Sequence, residues 1–308
     1  MCRVLAYLGE PVLLDDLLYK PDSSLVTQSY DPKMLHMLNL AGFGLSAWDA
    51  RLFDPDTPLI YKSATLPIFD ANLKSIAQKI QPRCLLAHVR GVAYHSRVNI
   101  GEHNLHPFKY DDFRLAFAHN GDLDRFSEMR YRLVEHIKPA IAQRIRGTTD
   151  SEWMYATLMS QVEDPTADLS SLEIARAVER MLKVIRQVRD QVGIRTQSPV
   201  NLFLSDGNSL VGVRFTFDFG CYPQEDPAHV NQMQLRYLSC WYTSGRKYGL
   251  YDGEWKMTGG SRAADSVIVA SEPLTRDETT WLEVPEYSML HVEAKGGRPK
   301  IGVVEIEV

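Results

Sequence analysis

Cysteine is scarce in this chain: four among 308 residues, at Cys2, Cys84, Cys221 and Cys240. They lie far apart and form no CxxC pair, which argues against a disulfide framework and a zinc ribbon. No apolar run approaches the ~20 residues of a membrane-spanning helix. Positive charge is not in excess. The net charge is −5, a poor electrostatic match for nucleic acid or an anionic membrane, so neither is expected as a partner. Repeats and low-complexity tracts are missing. So are GxGxxG and GxxxxGK[ST] loops, and Gly42-Phe43-Gly44 is too short to replace them. No cofactor is expected. The first residues carry one basic side chain and a short apolar run, with Glu10, Asp15 and Asp16 following closely. That is unlike a secretory signal, and a reducing cytoplasm is the expected compartment.

What is present is globular. Hydrophobic residues make up 44% and charged residues 24%, near the usual balance. Short apolar runs bounded by turn residues predict strands over residues 3–8, 84–89, 114–118 and 267–270. Residues 200–204 and 210–215 flank Ser205-Asp206-Gly207-Asn208, and residues 289–294 and 301–308 flank Lys295-Gly296-Gly297-Arg298. Both read as hairpins. Ser170-Ser171-Leu172-Glu173 matches a capping box. Ile174, Val178, Met181, Ile185, Val188 and Val192 then repeat at helical spacing, and Gly193 stands where a C-terminal stop belongs. Further helices are predicted over 71–80, 126–146 and 151–162. Strands and helices are grouped instead of alternating. This favours an α+β fold with antiparallel sheets over a doubly wound one.

Five local patterns carry chemistry. Cys2 becomes the first residue if Met1 is removed, which a small second side chain permits. Its thiol and its α-amine then share one residue. An α-amine titrates near about 8 and a thiol near about 8.5, so the amine can accept the thiol proton. Position 2 also fits a small hydrophobe on a strand. Phe117-Ala118-His119-Asn120-Gly121 reads as a strand delivering a turn. The Asn120 amide and the Gly121 N–H could stabilise an oxyanion there, although Asn-Gly is equally an ordinary turn. Arg90, at the end of Ala87-His88-Val89-Arg90, offers a forked donor for a carboxylate or for an internal Asp or Glu. Thr148-Thr149-Asp150-Ser151-Glu152 marks a helix start, capped by Asp150 or Thr149, and Asp150 could also receive an ammonium. His95, His103 and His106 do not have metal-ligand spacing, so no metal is expected and His106 reads as a hydrogen-bonded histidine packing the site.

In chain order these pieces resemble the class II glutamine amidotransferases: Cys2, Gly42-Phe43-Gly44, His88-Val89-Arg90, His106-Pro107-Phe108, His119-Asn120-Gly121 and Thr149-Asp150-Ser151-Glu152. Leu204-Ser205-Asp206-Gly207, the run from Val267 through Ser271-Glu272-Pro273 to Leu274, Trp281 and Val284-Pro285 extend the similarity to standalone γ-glutamyl amidohydrolases. The resemblance covers nearly the whole chain and implies one domain over residues 1–308. It implies an N-terminal-nucleophile hydrolase fold, a four-layer αββα sandwich of two mainly antiparallel sheets. Cys2 would attack the γ-carbonyl of a small γ-glutamyl substrate, with Asn120 and Gly121 as the oxyanion hole. Arg90 would hold the α-carboxylate and Asp150 the α-ammonium, with His106 and His119 lining the site. Glutamate and ammonia or an amine would leave.

There are departures from the pattern. Ala41 stands where relatives often carry aspartate, and Gly91 where many carry tryptophan. These leave open a catalytically silent γ-glutamyl-binding or regulatory subunit, or an ammonia-donating subunit of a partner synthase. Residues 215–262 are aromatic-rich and read as a substrate lid, a subunit interface within a homo-oligomer, or an extended hairpin packed on its own sheet.

Overall fold

The structure is a computed structural model and describes residues 2–34, 38–92, 100–221, 239–260, 264–295 and 297–308. Met1, His95 and residues 222–238 of the aromatic-rich segment, Tyr222 and Tyr237 included, lie outside the described residues. The elements run β1 (Arg3–Gly9), α1 (Leu14–Leu18), α2 (Thr27–Tyr30), β2 (Phe43–Trp48), β3 (Leu59–Ser63), α3 (Ala71–Ala77), β4 (Cys84–Val89), β5 (Ala116–Gly121), α4 (Phe126–Leu133), α5 (Pro139–Ala142), α6 (Asp150–Ser160) and α7 (Ser171–Gln191). They continue with β6 (Ser198–Ser205), β7 (Ser209–Arg214), β8 (Thr216–Phe217), β9 (Trp241–Gly245), β10 (Lys247–Tyr251), β11 (Glu254–Thr258), β12 (Ser266–Ala270), β13 (Leu282–Glu283), β14 (Ser288–Glu293) and β15 (Lys300–Glu305).

Among the described residues, one sheet has the order β13-β9-β12-β1-β4-β2-β3 and the other β15-β14-β7-β6-β5, with β8 against β6. The pairings are antiparallel. Strand alternation sorts the side chains into three apolar layers. On β1, Leu5 and Tyr7 join α1 and α3 on the outer face of the first sheet. Val4, Ala6 and Leu8 turn inward against Ala116, Ala118 and Phe203 of the second sheet. On the far side of that sheet, Phe117 and Leu202 pack under α4, α6 and α7. Helices, sheet, sheet, helices: this is the αββα sandwich of the N-terminal-nucleophile hydrolases.

The capping box of α7 forms as its sequence predicts, and Gly193 follows with φ +70°. The predicted helix over 126–146 does not run through. It breaks after α4 into a 3-10 turn at Val134–His136 and restarts as α5. Pro139 explains the break, because a residue before proline is driven out of the helical region, and Lys138 is extended at ψ 133°. The sequence reading also missed β2 and β3. Of residues 215–262, β9 joins the large sheet, while β10 and β11 pair as a separate hairpin with Tyr248 packed on the helix-side core.

Candidate active site

The alternation that builds the layers also assembles the site. Arg3 pairs with Val89 across β1 and β4, so Cys2 and Arg90 are the next residues outward on facing strand ends. Counting by twos from Val4 and Leu86, both belong to the inter-sheet face. Counting from Ala116 and Ala118 puts Asn120 of β5 on that face too. One end of the inter-sheet layer is therefore polar.

Cys2 is 8% exposed, with Sγ 3.8 Å from the Gly91 carbonyl. Its own carbonyl accepts from Arg3 Nη1 at 3.0 Å. Arg3 in turn meets Glu272 at 3.3 Å, both side chains buried. Arg90 is buried, and its backbone is held by Gly42 and Ala41 (2.8 and 2.9 Å). Burial draws its guanidinium pKa down, opposed by the charges of Cys2 and Asp150, so these two groups share its field.

His119-Asn120-Gly121 is not a turn. β5 continues through all three, with Asn120 opposite Asn201 and Gly121 opposite Val200 on β6. The backbone ladder, stronger here than the turn propensity of Asn-Gly, decides this. The register has a consequence for Gly121. Asp122 N–H donates to Pro199 at 3.1 Å, and Phe117 exchanges backbone bonds with Phe108 on the opposite side (2.8 and 2.9 Å). Alternation along an antiparallel strand then turns the Gly121 N–H to the outer edge, away from β6. A Cβ there would lie 2.0 Å from the Pro199 carbonyl and 2.4 Å from His119 Nε2, so only glycine fits.

Asp150 is the first residue of α6, and Thr149 is the cap, its hydroxyl accepting from Glu152 N–H at 3.4 Å. The Asp150 carboxylate accepts from Leu123 N–H at 2.8 Å and Ser151 N–H at 2.7 Å. Ser151 Oγ donates to it at 3.1 Å and lies 3.0 Å from His119 Nδ1. Burial lowers the His119 pKa, against the raising charge of Asp150.

His106 stacks on His88 with centroids 4.1 Å apart and meets Phe108 edge-on at 4.7 Å. Its ring nitrogens have no hydrogen-bond partner among the described residues, so the expected hydrogen-bonded histidine is instead a ring-packed one. Burial lowers its pKa strongly, and burial pulls His88 down to about 3. Ser271 and Glu272 were given no role by the sequence reading, yet they touch the site directly. Ser271 Oγ is 3.0 Å from both Val4 N and Asn120 Nδ2. Their signal was only a short run of residues after a late strand.

Residues 62–218 match the family of class-II glutamine amidotransferases. The "Probable glutamine amidotransferase DUG3" of Saccharomyces cerevisiae is 28% identical over 95% of this chain and 82% of its own length. The "Gamma-glutamyl-hercynylcysteine sulfoxide hydrolase" of Mycolicibacterium smegmatis is 33% identical over 41% of this chain and 52% of its own. Among solved structures, a glutamine aminotransferase class-II domain protein from Silicibacter pomeroyi superposes with TM-score 0.60 over all of both chains at 20% identity. A phosphoribosylpyrophosphate amidotransferase from B. subtilis does so at 0.57 and 15% identity, over all of this chain and 50% of that one. The last two carry the fold. With its family match spanning half its length and its sheets carrying the motifs in order, the chain belongs to the class-II glutamine amidotransferases and is an enzyme of carbon–nitrogen amide bonds.

Proposed function

We propose that this enzyme hydrolyses the γ-glutamyl amide of glutamine or of a small γ-glutamyl compound through a thioester on Cys2. The observation that carries the reading is the convergence of Cys2, Arg90 and Asn120 on one end of the inter-sheet face, with Asp150 within the electrostatic reach of Arg90.

The α-amine of a Cys2 freed from Met1 takes the thiol proton. The sulfur bonds to the γ-carbonyl carbon, and the carbonyl electrons move onto oxygen. Gly121 N–H and the Asn120 amide hold that oxyanion. When it collapses, the C–N bond breaks and the nitrogen leaves with the proton as ammonia or an amine. Water then cleaves the thioester, giving glutamate and the free thiol. Arg90 takes the α-carboxylate as a fork and Asp150 the α-ammonium, which fixes the carbonyl against the sulfur. His119, held by Ser151, and His106, stacked on His88, are the buried wall that keeps these groups dry. The relatives named above support the γ-glutamyl class. Selection of the leaving group is assigned to the segments around 41–46 and 215–262.

The test is glutamate release from a panel of γ-glutamyl compounds by the matured chain beginning at Cys2, with Cys2→Ala as control. Release by the wild type and none by a folded Cys2→Ala supports the reading. No release by matured wild type points to a silent subunit, and release by Cys2→Ala rejects the thioester.

A further inference from the structure

Ser271 follows β12 directly and is 2% exposed. Its N–H donates to the Val4 carbonyl at 3.0 Å, and its carbonyl accepts from Ser239 Oγ at 2.8 Å. Its backbone is thereby fixed. Its hydroxyl then reaches two ways: it accepts the Val4 N–H of β1, and it lies 3.0 Å from Asn120 Nδ2 of β5. One oxygen ties the nucleophile strand of the first sheet to the amide of the second.

A serine hydroxyl has one hydrogen and two lone pairs. With Nδ2 as its neighbour, Oγ accepts twice, and the buried Asn120 Oδ1 has no partner among the described residues. Amide oxygen and nitrogen are distinguished by their hydrogen bonds. Turning the Asn120 amide by half a rotation sets Oδ1 against Oγ. The hydroxyl then accepts from Val4 and donates to Oδ1, and both groups are satisfied. Both N–H bonds of Nδ2 now face away from Ser271, to the side where Oδ1 had stood, as an oxyanion donor must.

We propose that Ser271 is a positioning residue for acyl transfer: its hydroxyl, held by Val4, donates to Asn120 Oδ1 and so aims the amide N–H bonds at the developing oxyanion. This rests on the reading of Asn120 as an oxyanion donor. Ser271 touches no reacting atom and acts through Asn120.

Steady-state glutamate release separates the roles. Ser271→Ala is expected to lower kcat about tenfold to a hundredfold with KM within about twofold. Ser271→Thr, which keeps the hydroxyl, should stay within about threefold of wild type. In an Asn120→Ala background, Ser271→Ala should cost less than about twofold more. Wild-type kcat in Ser271→Ala, a loss confined to KM, or full additivity with Asn120→Ala overturns the proposal. If Ser271→Ala gives no cooperative melt, Ser271→Cys replaces it: a weak thiol donor should lose at least about tenfold, and parity with Ser271→Thr overturns the proposal. A neutron structure of the deuterated enzyme decides the geometry without any turnover. Deuterium between Ser271 Oγ and Asn120 Oδ1 supports it, and an Nδ2 deuterium aimed at Oγ rejects it. Glutamate release by Cys2→Ala would instead mark failure of the thioester reading itself.

Discussion

Two cysteines face the same inter-sheet layer from neighbouring strands, and they are chemically unlike. Cys84 stands opposite Leu8 at one end of the β1–β4 pair, and Cys2 lies beyond Arg3 at the other. At the Cys84 end the layer is closed. Trp48 seals it, and a Cβ on Gly207 would come within 2.7 Å of the Trp48 ring. Cys84 Sγ lies 3.0 Å from Ser205 Oγ, and burial pushes its thiol up to about 12. At the Cys2 end the same two strands finish among Arg90, His88, Asn120 and Ser271, and Arg90 is a cation in range of the sulfur. A thiolate is the nucleophile. Burial outweighs the lowering charge of Arg83 and keeps Cys84 a thiol. The lesson is that position along the strand, and not burial of the residue type, separates a core cysteine from the proposed nucleophile.

The largest way to break this contrast is to exchange the sulfurs' fates. Cys2→Ala should cut glutamate release at least about a thousandfold. Cys84→Ala should leave kcat within about twofold, and iodoacetamide mapped by mass spectrometry should label Cys2 in the native protein well before Cys84. Equal loss in both variants would erase the distinction.

Next comes the anchor of the Cys2 end. Glu272→Ala leaves Arg3 buried without its carboxylate (3.3 Å) and takes the acceptor from the Lys33 and Met34 N–H groups (3.2 and 3.1 Å). Breaking such a pair costs about 3–5 kcal/mol, to be read in urea melts. A change below about 1 kcal/mol would mean the pair anchors nothing.

Arg90→Ala sharpens the comparison at the cation. Losing a charged bond to the substrate carboxylate is worth about 1.5–3 kcal/mol, so kcat/KM should fall about tenfold to a hundredfold, mainly through KM. An unchanged KM would remove Arg90 from substrate binding.

Acid sensitivity should also belong to the polar end. Burial, helped by Arg90, holds His88 down to about 3, and burial lowers His106 and His119 as well. These rings are neutral when folded, whereas an unfolded histidine titrates near about 6.5. Their contribution is complete above about 6.5 and is lost as pH falls toward the folded values, by about 1.4 kcal/mol per pH unit for each ring. Urea midpoints measured from pH 7 to 4.5 should decline, and His88→Gln should flatten the slope by about one proton. A pH-independent midpoint would mean the rings are not held neutral.

Much of the fold was legible because it is written locally. The α7 capping box, its apolar stripe and Gly193 are all within one element's reach. The strand at Cys84–Val89 and the two hairpins follow from short apolar runs and turn residues. β2 and β3 were illegible for the opposite reason. Residues 43–48 gain their strand from pairing with β4, 41 or so positions away, and not from any alternation of their own. The Asn-Gly dipeptide misled in the same way. Its turn propensity yields to a partner strand some eighty residues on.

By itself, the order of chemical types along the chain picked out the residues proposed to carry the chemistry: a second-position thiol, an arginine closing a strand, an Asn-Gly pair, an aspartate opening a helix. Only the tertiary structure decided how they are held. It assigned the cap to Thr149 and left the Asp150 carboxylate to the N–H groups of Leu123 and Ser151. It stacked His106 on His88, and it brought Ser271 across 151 positions to Asn120. The physical reason is range. Propensity and periodicity act over a few residues, whereas the hydrogen bonds that aim a side chain are made between strands of different sheets.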